Sequence, residues 1–157
     1  MKLLKKLAWV LLISFIVMQF IRPEKNTASA DHASYFEQET NPPDEVLLVL
    51  KNTCYDCHSD NTVYPWYNNI APVSYWLADH VDHGKGHLNF SAWERYETDK
   101  KDHKLEEVIE EVKKEKMPLK EYKWTHEDAR LTADQISEIS SWAAKTRALY
   151  QLGQQPE

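Results

Sequence analysis

The chain has 157 residues and a formal net charge of −6. Its first 25 residues are basic, so residues 26–157 hold 14 Lys or Arg and 24 Asp or Glu side chains, a formal charge of −10. So acidic a segment is a poor candidate for binding nucleic acid or an anionic lipid surface. The length allows one domain behind the N-terminal segment.

The first 22 residues have the order of charged and apolar side chains that is typical of a signal anchor. Three lysines among the first six residues precede an apolar run over residues 7–21, which is marginally long enough to span a bilayer. Small residues at 28–30 have the form of a cleavage site but lie far from this run. We therefore predict an uncleaved single-pass segment over 1–22 in the cytoplasmic membrane, with the N-terminus inside and the remaining chain in the periplasm.

The rest of the chain predicts helices and no strands. Asn41, followed by two prolines and two acidic residues, is typical of a helix start, and this helix runs into Cys54. Thr132 and Gln135 have the spacing of a capping box that opens a final helix. Because glycine is scarce and strand-like alternation is absent, we predict an all-α domain. The predicted segments are a tether over 23–41, the domain over 42–150 with further helices over 74–81, 91–96 and 103–116, and a tail over 151–157.

The stretch NTCYDCHSD, residues 52–60, contains both cysteines of the chain. Cys54 and Cys57 are separated by two residues and His58 follows directly, which is the attachment pattern of covalent haem c. Two thiols one helical turn apart can bond the two vinyl groups of a porphyrin, and the histidine can then ligate the iron. A zinc site would need further ligands at short spacing, a redox dithiol would follow a strand, and a disulfide closing so small a loop would constrain little. The pattern therefore predicts one covalent haem, with iron as the metal.

The second face of the iron has two candidate ligands. Met117 lies 59 residues after His58 and beside a proline, in a loop before the final helix. Small c-type cytochromes place a methionine in such a loop, and a thioether ligand raises the reduction potential. His80, on a helix with an apolar face, is the alternative sixth ligand. We predict Met117, although methionine is also a common filler of core gaps.

Aromatic side chains are dense between the two predicted ligands. A flat macrocycle needs apolar walls, and Trp or Tyr polar groups can reach its propionates. We expect Trp66 and Tyr67 to be haem neighbours because they follow the attachment site closely. His126 can bond a propionate or simply lie in the first turn of a helix.

Several motifs together carry a family resemblance. The segment CYDCHSDNTVYPWYNNIAPVSYWLADHVDHGKGHLNFSAW, with KMPLKEY, THEDARLT and QFIRPEKN, resembles the bacterial haem-binding domain family, which looks like cytochrome c-like domains behind a membrane anchor. The resemblance extends from about residue 19 to residue 150. It implies covalent haem on Cys54 and Cys57, His58 as the proximal ligand and Met117 as the matching methionine. It does not define a reaction.

Two functions follow as expectations. The first is a membrane-anchored mono-haem cytochrome that transfers single electrons to redox partner proteins, some of them basic, and that is not itself an enzyme. The alternative is a haem sensor or a peroxidase-like domain with a labile sixth ligand, in which His80 or His126 serves as the distal group. Ready binding of carbon monoxide or peroxide would distinguish the second from the first.

Overall fold

The computed structural model describes residues 2–154, and this part of the chain folds into helices without a strand. The all-α part of the predicted fold is therefore confirmed. Residue 1 of the predicted anchor and residues 155–157 of the predicted tail lie outside the described residues. The α-helices are α1 Lys2–Met18, α2 Ser34–Thr40, α3 Asp44–Val49, α4 Tyr55–His58, α5 Val73–His87, α6 Thr98–Lys113 and α7 Ala133–Gln151. A π-helical turn covers Leu50–Cys54, and 3-10 turns cover Trp66–Asn69, Phe90–Arg95, Tyr122–Trp124 and Glu127–Ala129.

The predicted transmembrane segment, and with it the single-pass location, is wrong. Helix α1 has 17 residues. At about 1.5 Å per residue it is about 26 Å long, whereas the hydrocarbon core of a bilayer is about 30 Å thick. The three lysines lie within its first five positions, so its apolar part is shorter still. None of the helices within residues 2–154 has the length and apolar character needed to cross a membrane.

The chain that leaves α1 is bonded to the start of α5. Gln19 exchanges two hydrogen bonds with the backbone of Ala71: its Nε2 donates to the carbonyl oxygen at 3.3 Å, and its Oε1 accepts from the N–H at 3.0 Å. The Tyr75 hydroxyl donates to the carbonyl of Ile21. These bonds fix the direction in which α1 leaves the domain.

The core forms around a helix that the sequence analysis did not predict. Helix α2 lies within residues 23–41, which were expected to be a tether, and its Phe36 is fully buried. The Phe36 ring lies 4.5 Å from Phe90, 5.0 Å from Trp93 and 6.0 Å from Trp142. Asn41 ends α2 in a left-handed conformation with φ 38°, so it does not open the next helix as predicted.

Helices α6 and α7 pack along each other and cover one side of this core. The predicted capping box is confirmed: Gln135 N–H donates to Thr132 Oγ1 at 3.2 Å, and Thr132 N–H donates to Gln135 Oε1 at 2.8 Å. Leu105 of α6 and Ile139 of α7 are buried at the contact. Arg147 of α7 forms ion pairs with Asp102 and Glu106 of α6.

A buried ion pair crosses the core. Lys101 Nζ lies 2.8 Å from the Glu39 carboxylate, and these side chains are 8% and 7% exposed. The Tyr150 hydroxyl also donates to Glu39 and accepts from the indole N–H of Trp93 at 3.3 Å. The network therefore joins α2, α6, α7 and the turn Phe90–Arg95.

Candidate functional site

The Cys-x-x-Cys-His motif lies where a π-helical turn meets an α-helical turn. The wide turn Leu50–Cys54 is followed at once by α4, and the backbone becomes extended at Ser59. Such π-helical insertions are rare and often mark functional sites. Tyr55 anchors the motif, because its ring is buried 5.3 Å from Phe90 and its hydroxyl donates to Glu37 of α2 at 3.2 Å.

His58 is held in the form that can ligate a metal. Its Nδ1 lies 2.9 Å from the carbonyl oxygen of Gly84 and 3.0 Å from that of Leu88. Since carbonyls only accept, Nδ1 carries the proton and the lone pair is on Nε2. Burial lowers the pKa of His58, although the two carbonyl bonds act in the opposite direction, so the ring is neutral. Metal-bound histidines commonly donate their other N–H to a backbone carbonyl in this way.

Helix α5 continues through Gly84, beyond the predicted end of the helix at residue 81, and touches the motif there. A Cβ added at Gly84 would lie 2.6 Å from the Cys57 carbonyl oxygen and 3.1 Å from the Cys57 Cβ. Only glycine permits this approach, which also brings the Gly84 carbonyl within reach of His58. The contact between α4 and α5 thus sets the position of the histidine.

Replacing Gly84 with alanine is expected to destabilise the domain, because the added methyl group overlaps backbone atoms that cannot rotate away. Overpacking of this kind costs about 1–3 kcal/mol in the free energy of unfolding, measured by urea denaturation. Gly86→Ala is the matched control, since a Cβ there meets nothing within 4 Å. It should leave stability unchanged or raise it slightly, because alanine favours the helix. Equal effects of both substitutions would contradict the close-approach argument.

The two thiols are neutral at physiological pH. Burial raises the pKa of Cys54 to about 12 and that of Cys57 to about 11, and the nearby Asp56 carboxylate adds to both shifts. A redox dithiol needs the opposite, a lowered thiol pKa. Within residues 2–154, His, Cys, Asp and Glu side chains form no group of three or more that could hold a metal ion, which a zinc site would require.

Asp56, between the two cysteines, ties the motif to two distant segments. Its Oδ1 accepts from the Val63 N–H at 2.9 Å, and its Oδ2 accepts from the Tyr122 hydroxyl at 2.7 Å. The Tyr122 ring stacks on His126 at 4.0 Å with an interplanar angle of 9°. The segment that follows Met117 is therefore bonded to the motif, a link between residues 66 positions apart that no local pattern in the sequence signals.

Met117 is half-buried beside a cavity of about 380 Å³. Val112 and Ile136, from α6 and α7, line the same cavity. Cys54, Cys57 and His58 do not line it. Charged side chains line this cavity together with the apolar ones, so it is a mixed and not an apolar surface. The role of Met117 as a ligand stays a prediction.

The candidate histidines lie apart from this cavity. His80 donates through Nδ1 to the Trp76 carbonyl at 2.8 Å, and its ring lies 4.3 Å from that of Trp76. His126 stacks on the Tyr122 ring, and its Nδ1 bonds the Tyr122 carbonyl. Neither side chain lines the cavity beside Met117.

The two predicted aromatic neighbours lie beside the segment 122–126. Trp66 is 77% exposed and packs edge-on against Tyr67 at 5.8 Å. Tyr67 bonds Thr125 through the two hydroxyl groups at 2.8 Å. The ring that lies near His58 is Phe90, at 6.5 Å and edge-on. Sequence reasoning missed Phe90 because its burial depends on packing against α2.

These features fit a haem site better than a zinc site or a redox dithiol. A neutral histidine, whose Nε2 lone pair is available, follows two neutral, reduced thiols directly in the sequence. All three side chains belong to an all-helical domain. They define a haem-binding class of protein. The family model described as Haem-binding domain matches residues 13–145, so the chain belongs to the haem-binding domain family. Searches of curated proteins and of solved structures give no significant match.

Proposed function

We propose that this haem-binding protein is a c-type cytochrome that carries one covalent haem and transfers single electrons. In this proposal, Cys54 and Cys57 form the two thioether bonds and His58 ligates the iron. Each S–H adds across one vinyl double bond, so attachment needs neither an oxidant nor a reductant. The observation that carries the proposal is the pair of carbonyl bonds at His58 Nδ1, which leaves Nε2 as the ligand atom.

Bound haem supplies a one-electron ferrous–ferric couple. The chain's own residues orient and bury the ligand. Gly84 and Leu88 hold the imidazole through Nδ1, which fixes the ring orientation and increases its basicity. Tyr55 and Phe90 supply the apolar surroundings on the core side. An electron carrier needs no substrate at the iron, so ligation on both faces suits this function.

Met117 is the proposed sixth ligand. The bond between the Tyr122 hydroxyl and Asp56 supports this role, because it ties the segment that follows Met117 to the haem-binding motif. His80 remains the alternative, since its Nδ1–H bond to the Trp76 carbonyl leaves its Nε2 lone pair available. We propose redox proteins as partners, including basic ones, because residues 26–157 carry a formal charge of −10.

A second function is favoured by one observation. The cavity beside Met117 is not lined by His58 or by either cysteine. A sixth position that stays labile would bind small ligands, as in a haem sensor or a peroxidase-like protein. The identity of the sixth ligand therefore decides between the two functions.

Replacing Met117 with leucine is expected to remove the methionine-to-iron charge-transfer band and to lower the reduction potential, because a thioether ligand stabilises ferrous iron. Absorption and magnetic circular dichroism spectra of the haem-loaded full chain, in both oxidation states, would measure this. Met18→Leu in α1 is the matched control and should retain the band. Low-spin spectra unchanged by Met117→Leu would indicate a histidine such as His80. A high-spin wild type that binds carbon monoxide at once would contradict the electron-carrier proposal.

A further inference from the structure

The segment between α1 and α2 contains the motif QFIRPEKN, whose role the haem-binding motif leaves unexplained. We call residues 22–28 of this segment the strap. Asn26, the last residue of the motif, is half-buried although its neighbours on both sides are exposed. The strap lies against the loop that follows His58.

The Asn26 side chain uses both of its polar ends. Its Nδ2 donates to the Ser59 carbonyl at 2.8 Å and lies 2.9 Å from Thr62 Oγ1. Its Oδ1 accepts from Lys85 Nζ at 2.7 Å. One short amide therefore bridges the loop after α4 and the helix α5.

The Asn26 backbone is bonded as fully as its side chain. Its N–H donates to the Tyr64 hydroxyl at 2.7 Å, and its carbonyl accepts from the Thr62 N–H at 3.0 Å. A residue that serves only to continue an exposed segment does not need this set of partners. The bonds span up to 59 positions of the chain, from Asn26 to Lys85.

Three of the partners of Asn26 lie next to His58 or next to groups that position it. Ser59 follows His58 directly, and Thr62 Oγ1 in turn donates to the Asp56 carbonyl at 2.6 Å. Lys85 follows Gly84, the residue whose carbonyl accepts from His58 Nδ1 and whose Cα packs on Cys57. Asn26 thus connects the loop on one side of the histidine to the helix on its other side.

Lys85 strengthens this connection with a charge. Its Nζ lies 2.7 Å from Asp60 Oδ1 as well as from Asn26. Asp60 also accepts from the Asn89 side chain at 3.0 Å. Since Lys85 bonds Asp60 in the loop and Asn26 in the strap, α5 cannot move away from the loop without breaking these bonds.

We propose that Asn26 is a positioning residue for His58, and that the strap is part of the haem site. The inference rests on the proposed role of His58 as the iron ligand. Asn26 does not touch the haem-binding side chains; it acts by holding the loop 59–64 and the end of α5 at a fixed separation. The strap would then influence the ligand field of the iron through Ser59 and Gly84.

The test compares Asn26→Ala with Asn69→Ala in the full chain. Asn69 is an exposed asparagine whose side chain donates only to Trp66 three residues earlier, so it is a matched control. Amide hydrogen exchange of the haem-free chain is expected to become roughly tenfold faster at residues 57–62 and 84–88 in Asn26→Ala, with α6 and α7 unaffected. In the haem-loaded chain the reduction potential should shift in Asn26→Ala and stay unchanged in Asn69→Ala.

Asn26→Asp separates positioning from simple anchoring. An aspartate keeps the acceptor for Lys85 but loses the donor to the Ser59 carbonyl, so exchange should rise at residues 57–62 more than at 84–88. Faster exchange spread evenly over the whole chain, or an unchanged potential in Asn26→Ala with haem fully bound, would overturn the proposal. A wild type without covalent haem would refute the proposed function instead, and the exchange measurement would still decide whether Asn26 clamps the two segments.

Discussion

Replacing Cys54 and Cys57 together with serine is expected to abolish covalent retention of haem, because serine cannot form the thioether bonds. Haem should then be extracted completely from the denatured variant by acidified organic solvent, whereas the wild type keeps it. Each single substitution should leave one thioether bond to the haem. The α-band of the reduced haemochrome spectrum should then be shifted. The measurement is haem staining of the denatured chain together with that spectrum.

The fold itself should survive the double substitution. Both thiols are neutral and free in the structure, and serine is similar in size and also neutral. Helical circular dichroism of the haem-free double variant should therefore match that of the haem-free wild type. Covalent haem in the double variant would refute the assignment of these residues. A loss of helix without haem would show that the thiols contribute mainly to packing.

Replacing Lys101 with methionine is expected to give the largest loss of stability of any single substitution on the polar network of the core. The change leaves the Glu39 carboxylate buried without its cation, and removing one partner of a buried pair costs about 3–5 kcal/mol. Urea unfolding monitored by circular dichroism would measure it. Lys114→Met is the control: Lys114 forms an exposed ion pair with Glu110, and such pairs contribute little.

The same network predicts a dependence of stability on pH. Burial raises the pKa of Glu39, but hydrogen bonds from Lys101, Tyr150 and Tyr35 outweigh burial and lower it overall. A carboxyl whose pKa is lower in the folded than in the unfolded state stabilises the fold above its unfolded pKa, and this contribution disappears as the pH falls through the folded value. The stability difference between wild type and Lys101→Met should therefore shrink in acid. A constant difference from pH 7 to pH 3 would contradict this account.

The sequence could predict those parts of the molecule that depend on neighbouring residues. The capping box at Thr132 and Gln135 and the final helix that it opens are local patterns, and the structure has both. The Cys-x-x-Cys-His motif was likewise recognisable, and the family match supports the haem that it predicts. Helix propensity and motif spacing act over a few residues, so they can be read without knowledge of the fold.

The rest depends on contacts between distant residues. An apolar run at the N-terminus predicted a membrane span, but the helix ends at Met18, and Gln19 beside it bonds Ala71 across 52 positions. The polar composition of residues 23–41 concealed Phe36, whose burial depends on three rings from two later segments. Asn26 looked like any polar linker residue. Its significance is visible only once Ser59 and Lys85 are placed beside it.

The two residues between the cysteines have a consequence for how the motif tolerates change. They are written as arbitrary positions in the pattern, yet here Tyr55 inserts into the core and Asp56 bonds both Val63 and Tyr122. Residues that served only as spacers could be exchanged freely. Tyr55 and Asp56 cannot, because each of them connects the motif to a different part of the chain. If the pentapeptide were grafted onto another helix, it would keep its reactive groups but lose the contacts that orient them. In this protein the two residues that the motif leaves unspecified, Tyr55 and Asp56, are the ones that hold it in place.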